Sequence, residues 1–131
     1  MTNGISVMVS GNGLSPVTVQ QVIELLGSRC ASLVWRIDYA EVNGHDVGPD
    51  GQARIDALAH TGQGISSQQL LDCLRAIGQL VEGEFSGHDT TGSQAIRITM
   101  VDGASVDVES SEDEVLRLIE ASYPRTTRFS Y

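Results

Sequence analysis

The sequence predicts an α+β fold, a mainly antiparallel sheet with helices packed on one face, in a single domain covering residues 1–131. Three observations carry this expectation. Segments with apolar residues at every second position (around Ile5–Val9, Leu33–Val42, Ile96–Met100 and Val106–Val108) are interleaved with segments of helical period. Asp102-Gly103, between two of the alternating segments, is a strong hairpin signal. At 131 residues and 40% hydrophobic content, the chain is long enough for one core without disulfides.

The first strand is read at Ile5–Val9, where Ile5, Val7 and Val9 alternate with Ser6 and Met8. "SGNGLSP" breaks it, and Ser15-Pro16 is expected to open a helix with Ser as N-cap and Pro at the first position. Val19, Val22, Ile23 and Leu26 give that helix an apolar stripe, and Gly27 suits its C-terminal end. "LVWRIDYAEV" is the clearest strand, expected to place Leu33, Trp35, Ile37 and Tyr39 on one face and Arg36 and Asp38 on the other. Asn43–Gly51 reads as a loop and Gln52–His60 as a short helical piece.

Ser66 with Gln69 has capping-box spacing, and Ile65 with Leu70 supplies the hydrophobic staple. The helix that follows is expected to bury Leu70, Leu74, Ile77 and Val81, with Leu71, Cys73 and Leu80 beside them, and to end at Gly83. A short strand around Phe85, the loop "SGHDTTGS" and the hairpin come next. Ser111 is expected to cap the last helix with Glu114 at its third position, Val115, Leu118, Ile119 and Ser122 facing inward, and Pro124 closing it. "RTTRFSY" has the pattern of a final edge strand or a frayed tail.

The hairpin poses a register problem. A plain two-residue turn at Asp102-Gly103 would set Ile98 beside Asp107, although Ile96, Ile98 and Met100 share one face and Val106 and Val108 share another. A three-residue loop Val101-Asp102-Gly103, with Gly103 left-handed and a bulge, repairs this. It is expected to set Ile98 opposite Val106, Ile96 opposite Val108, and Arg97 opposite Asp107.

The net charge is −9, and residues 82–120 hold ten carboxylates against Arg97 and Arg117. That concentration disfavours nucleic acid and anionic membrane, and it steers a basic partner inward. No apolar run is long enough to span a bilayer, and the first ten residues lack a basic leader pattern, so a cytoplasmic location is expected. Cys73 reads as a small core residue, and whether it pairs with Cys30 stays open.

No motif supports catalysis, a cofactor or a metal. "VSGNGLSP" lacks the third glycine of a dinucleotide loop and the Gly-Lys-Ser/Thr of a P-loop, so Gly11–Gly13 reads first as a tight turn. "DVGPDG" resembles half of a calcium loop, but Gly48 and Ala57 stand where ligands are required. His45, His60 and His88 share no ligand spacing, and the His45-Asp46 and His88-Asp89 pairs both fall in loops. No G-x-S-x-G elbow exists. Trp35 shares the phase of Leu33 and Ile37, which favours a core position over a surface anchor.

Ile65-Ser66, Gly83-Glu84-Phe85, Gly87, Ile98, Val101-Asp102, Asp107-Val108 and the acidic helix entry form a layout that resembles small bacterial immunity or antitoxin-type proteins over residues 65–120. The resemblance implies a protein that neutralises a toxin by binding, and it brings no catalytic residues. The expectation is therefore a non-enzymatic inhibitor whose acidic surface, at Glu82, Glu84, Asp107, Glu109, Glu112 and Asp113, meets a basic protein such as a nuclease. The alternatives are a small ligand-binding or enzymatic domain using the Gly11–Gly13 loop, or a structural subunit of a complex.

Overall fold

The computed structural model describes residues 3–9 and 17–130. Six strands form one sheet, β1 (Asn3–Met8), β2 (Val34–Asn43), β3 (Gln79–His88), β4 (Gln94–Val101), β5 (Ser105–Ser110) and β6 (Thr126–Ser130), in the order β2-β3-β4-β5-β1-β6. Every neighbouring pair is antiparallel. The helices α1 (Val19–Leu26), α2 (Gly51–Thr61), α3 (Ser67–Ala76) and α4 (Asp113–Ser122) cover one face, as the α+β expectation required. No described helix is long and apolar enough to cross a membrane.

Ile5, Val7, Trp35, Ile37, Phe85, Ile98, Val106 and Val108 point from the sheet into a single core, each at most 1% exposed. The helices close it with Val19, Val22, Ile23 and Leu26 of α1, Ile55 of α2, Leu70, Cys73 and Leu74 of α3, and Val115, Leu116 and Ile119 of α4. Trp35 is thus a core residue. Its indole N–H donates to Ser67 Oγ at 2.8 Å, and Ser67 in turn donates to the Cys30 carbonyl at 2.6 Å. That chain joins β2, the segment after α1 and the start of α3. Cys30 and Cys73 are both free and buried, and burial pushes the Cys30 thiol up to about 11.

Local chemistry explains several boundaries. Ser66 and Gln69 form the expected capping box, each side chain bonding the other's backbone N–H. α1 begins under a second capping box, Thr18 with Gln21, rather than at Ser15-Pro16, which lie outside the described residues. α4 has Glu112 at its N-cap position instead of Ser111, and the Glu112 N–H donates to Ser110 Oγ. In that helix Leu116 is buried, whereas Ser122 is exposed and donates to the Leu118 carbonyl.

α3 stops at Ala76, so Leu80 and Val81 belong to β3 and Gly83 terminates nothing. The reason is tertiary. Gly78 lies so close to β2 that an added Cβ would stand 2.5 Å from the Asn43 carbonyl oxygen, and Gln79 faces Asn43 as β3 begins. Strand pairing with β2 overrides the helical period there.

β2 also departs from simple alternation. Asp38 is an extra residue between the Ile37–Phe85 and Tyr39–Glu84 pairs, so Tyr39 turns away from the core and is 43% exposed.

The hairpin loop has three residues and a left-handed Gly103, but it is displaced by one position. Asp102 (φ 50°) and Gly103 (φ 63°) make the turn, Ala104 N–H donates to the Val101 carbonyl, and Val101 faces Ser105. Ile98 consequently faces Val108, and Met100 faces Val106, a two-residue correction to the expected register. A shift of two preserves both apolar faces. It gives Met100 a larger neighbour than Ala104, and it frees Ala104 to accept from Val9 N–H of the chain leaving β1.

Candidate functional site

The sheet face opposite the helices carries several of the sequence's acidic residues. Register places Tyr39, Glu84, Thr99, Asp107, Ser6 and Thr127 in one row across all six strands. The adjacent row is Arg36, Ser86, Arg97, Glu109, Gly4 and Phe129. Beyond the first row, Glu41 faces Glu82, and Val101 faces Ser105, which faces Met8. Among the described residues, four of the five most exposed large apolar side chains (Met8, Val34, Tyr39 and Val101) are on this face. The open face thus mixes carboxylates with exposed apolar side chains.

Its charges are unevenly satisfied. Arg97 Nε lies 2.8 Å from Glu84 Oε1, an ion pair without hydrogen-bond alignment, and Arg97 Nη1 lies 3.8 Å from Glu109 Oε2. Glu82 shares a hydrogen bond with Asp102, and that bond and the charges of Asp102 and Glu41 raise the Glu82 carboxyl above its ordinary range. Desolvation and the charges of Glu82 and Glu84 raise the Tyr39 phenol. Asp107 differs from these acids. Its Oδ1 is buried and has no hydrogen-bond partner.

Of the six expected binding residues, Glu82, Glu84, Asp107 and Glu109 share this face, whereas Glu112 and Asp113 do not. The latter two stand at the start of α4, in the helix layer. Asp113 bonds Arg128 Nη1 at 2.9 Å and pairs with Arg117 Nε at 2.6 Å, and its bond with Arg128 chiefly holds its carboxyl below the usual range. Proximity in sequence does not bring these two acids to the sheet face, because the chain turns from β5 into the helix layer between Ser110 and Asp113. Sequence reasoning missed Tyr39, Met8, Val101 and Phe129 as members of the face. Alternation could have supplied Met8 and Val101, but the Asp38 bulge hid Tyr39.

The loops weighed for chemistry have internal uses. A carbonyl only accepts, so His88 Nδ1 carries the proton it shares with Gly92 O at 3.3 Å, and Nε2 accepts from Ser86 Oγ at 3.2 Å. Ser86 is only 3% exposed, so its hydroxyl ties the loop to the strand rather than facing a substrate. Asp89 accepts from Thr91 and Ser93, and the Thr91 hydroxyl is the main cause of its lowered carboxyl pKa. In the half-calcium loop, Asp46 Oδ1 accepts from Gln52 N–H at the start of α2, and Val47 and Gly48 donate to the Ala76 carbonyl at the end of α3. Among the described residues, no group of three or more His, Cys, Asp or Glu could hold a metal ion.

The Gly11–Gly13 loop lies outside the described residues. Among the described residues, Val9, Val17, Val19, Leu74, Ile77 and Met100 line an apolar cleft of about 300 Å³. No protein-family model, curated protein or solved structure matches the chain.

Proposed function

We propose that this protein is a non-enzymatic binding protein, of the immunity or inhibitor kind, that neutralises a basic protein partner by covering it with the open face of its sheet. The observation that carries the reading is the composition of that face. Six carboxylates (Glu41, Glu82, Glu84, Asp102, Asp107 and Glu109) accompany two arginines there, with Met8, Val101 and Tyr39 among them. Charge of one sign speeds the approach of a basic partner, and the apolar side chains supply area to bury once it arrives.

The test is association with the product of the neighbouring gene, measured by stopped-flow fluorescence at two ionic strengths. Replacing Glu41, Glu82 and Asp102 together by their amides should slow association about tenfold at low salt, and the wild-type rate should fall as salt rises. Association that ignores both salt and the triple substitution would remove the acidic face as the docking surface. The apolar cleft between Val9, Val17 and Leu74 favours a second reading, a site for a small apolar ligand. A thermal-shift titration with a medium-chain fatty acid tests it, and an unchanged Tm would eliminate it.

A further inference from the structure

Resting on the reading of the sheet face as a docking surface, we propose that Asp107 is its anchor, and that the partner's matching group is an arginine guanidinium seated on that carboxylate. The other acids of the face are already engaged or repelled among themselves. Glu84 and Glu109 approach Arg97, and Glu82 shares its end of the face with the like charges of Asp102 and Glu41. Asp107 alone keeps a buried oxygen without a partner, near the middle of a strand with sheet on both sides. Its neighbours in the row are Thr99 and Ser6, which offer hydroxyl oxygens to accept further N–H bonds but no positive charge.

A carboxylate with one oxygen buried and without a donor is a standing cost in the free protein, and a β-branched residue would suit this half-buried position better. An incoming cation removes that cost, so the interaction is worth more here than at any satisfied acid. Guanidinium fits better than ammonium. It is more weakly hydrated, and its planar fork can serve the carboxylate and a flanking hydroxyl together. Met8, Val101 and Tyr39 would then cover the surroundings and exclude water, the usual setting of an energetic centre.

The experiment uses the full chain labelled with ¹⁵N and titrated with Nα-acetyl-arginine methylamide, alongside Asp107→Asn, Asp107→Thr and the control Glu112→Gln. Saturable amide shifts should centre on Ser6, Thr99 and Asp107, should need several-fold more of the lysine analogue, and should weaken at least tenfold in Asp107→Asn but not in Glu112→Gln. The same Asp107 variants should melt higher than the wild type by about 2–6 °C, because the unpaired charge is gone. Should Asp107→Asn fold poorly, Asp107→Thr carries both measurements. Shifts that persist at Glu82 or Glu84 in the Asp107 variants overturn the anchor and leave the acidic-face reading standing. Shifts confined to Glu112–Glu114, or none on the face, also overturn the anchor, and the association assay with the neighbouring gene product decides the underlying reading separately. A lower Tm in both variants shows that Asp107 supports the fold, and overturns the proposal.

Discussion

Ser67→Ala removes one hydroxyl that serves three parts of the fold. That oxygen accepts from Trp35 Nε1 at 2.8 Å and donates to the Cys30 carbonyl at 2.6 Å. Each intramolecular hydrogen bond contributes about 1 kcal/mol net, so losing two costs about 2 kcal/mol. Trp35 is fully buried, so its indole N–H is left without an acceptor, which adds up to about 1 kcal/mol more. Ser67 is the first residue of α3 and not its cap, and alanine's better helix propensity returns about 0.5 kcal/mol. The expected loss is therefore about 1.5–2.5 kcal/mol, worth roughly 5–10 °C in Tm for a chain of this size. Trp35 is the single tryptophan, so urea denaturation followed by its fluorescence reads the site directly. A loss below about 0.5 kcal/mol would refute the claim that this hydroxyl joins β2 to α3, since surface substitutions fall in that range.

Further expectations can be checked with the same melts. Leu74→Ala should cost about 2–5 kcal/mol, because the side chain is buried between α3 and the sheet, whereas exposed Gln79→Ala should be nearly silent; equal effects would mean that the assigned core is wrong. Gly103→Val should cost about 1–2 kcal/mol by forcing a β-branched residue to φ 63°, and an unchanged stability would contradict the turn. Two pH effects of opposite sign are expected. Asp113, held below its ordinary 3.8, contributes stability that is present above that value and lost as pH falls through its folded pKa. Glu82, raised above 4.5, favours the folded state most below that value, and this contribution disappears as pH rises through its folded pKa. Glu82→Gln should therefore abolish the second dependence and Asp113→Asn the first, and melts with the same pH profile as wild type would contradict both.

What the sequence shows depends on how far apart the deciding groups are. The capping box at Ser66 and Gln69 spans three residues, and the stripe Val19, Val22, Ile23 and Leu26 spans two turns, so both are legible from local pattern alone. The apolar period after Ser66 runs on through Leu80 and Val81, and nothing local says that β2 will claim those residues as a strand. The bulge at Asp38 is equally hidden, since it exists only in the pairing of β2 with β3, and it moves Tyr39 from the expected core to the open face. The hairpin lies between these cases. Alternation correctly demanded an odd loop and a left-handed Gly103, but either register two residues apart keeps the valines and isoleucines inward. Pairing of Arg97 with Glu109 and anchoring of Gly103 N–H to the Val81 carbonyl belong to the register adopted.

For the candidate site, the same distinction separates charges that count from charges that are merely numerous. Sequence clustering ranks Glu112, Asp113 and Glu114 as highly as any acids in the chain. Folding gives Asp113 to Arg117 and Arg128, Glu120 to Arg128, and Glu114 to Arg29, so in the helix layer acids and arginines largely answer one another. On the open sheet face, Arg97 must answer two acids and Asp107 has no donor for its buried oxygen. Exposed and already paired carboxylates have little to gain from a partner, whereas a partly buried unpaired one has a desolvation cost to recover. The long-range field of the chain comes from all its acids, but the place where a basic partner gains most is set by which acids the fold has left unpaired. On the docking reading proposed above, that place is Asp107, five residues before Glu112 in sequence and on the opposite layer from it.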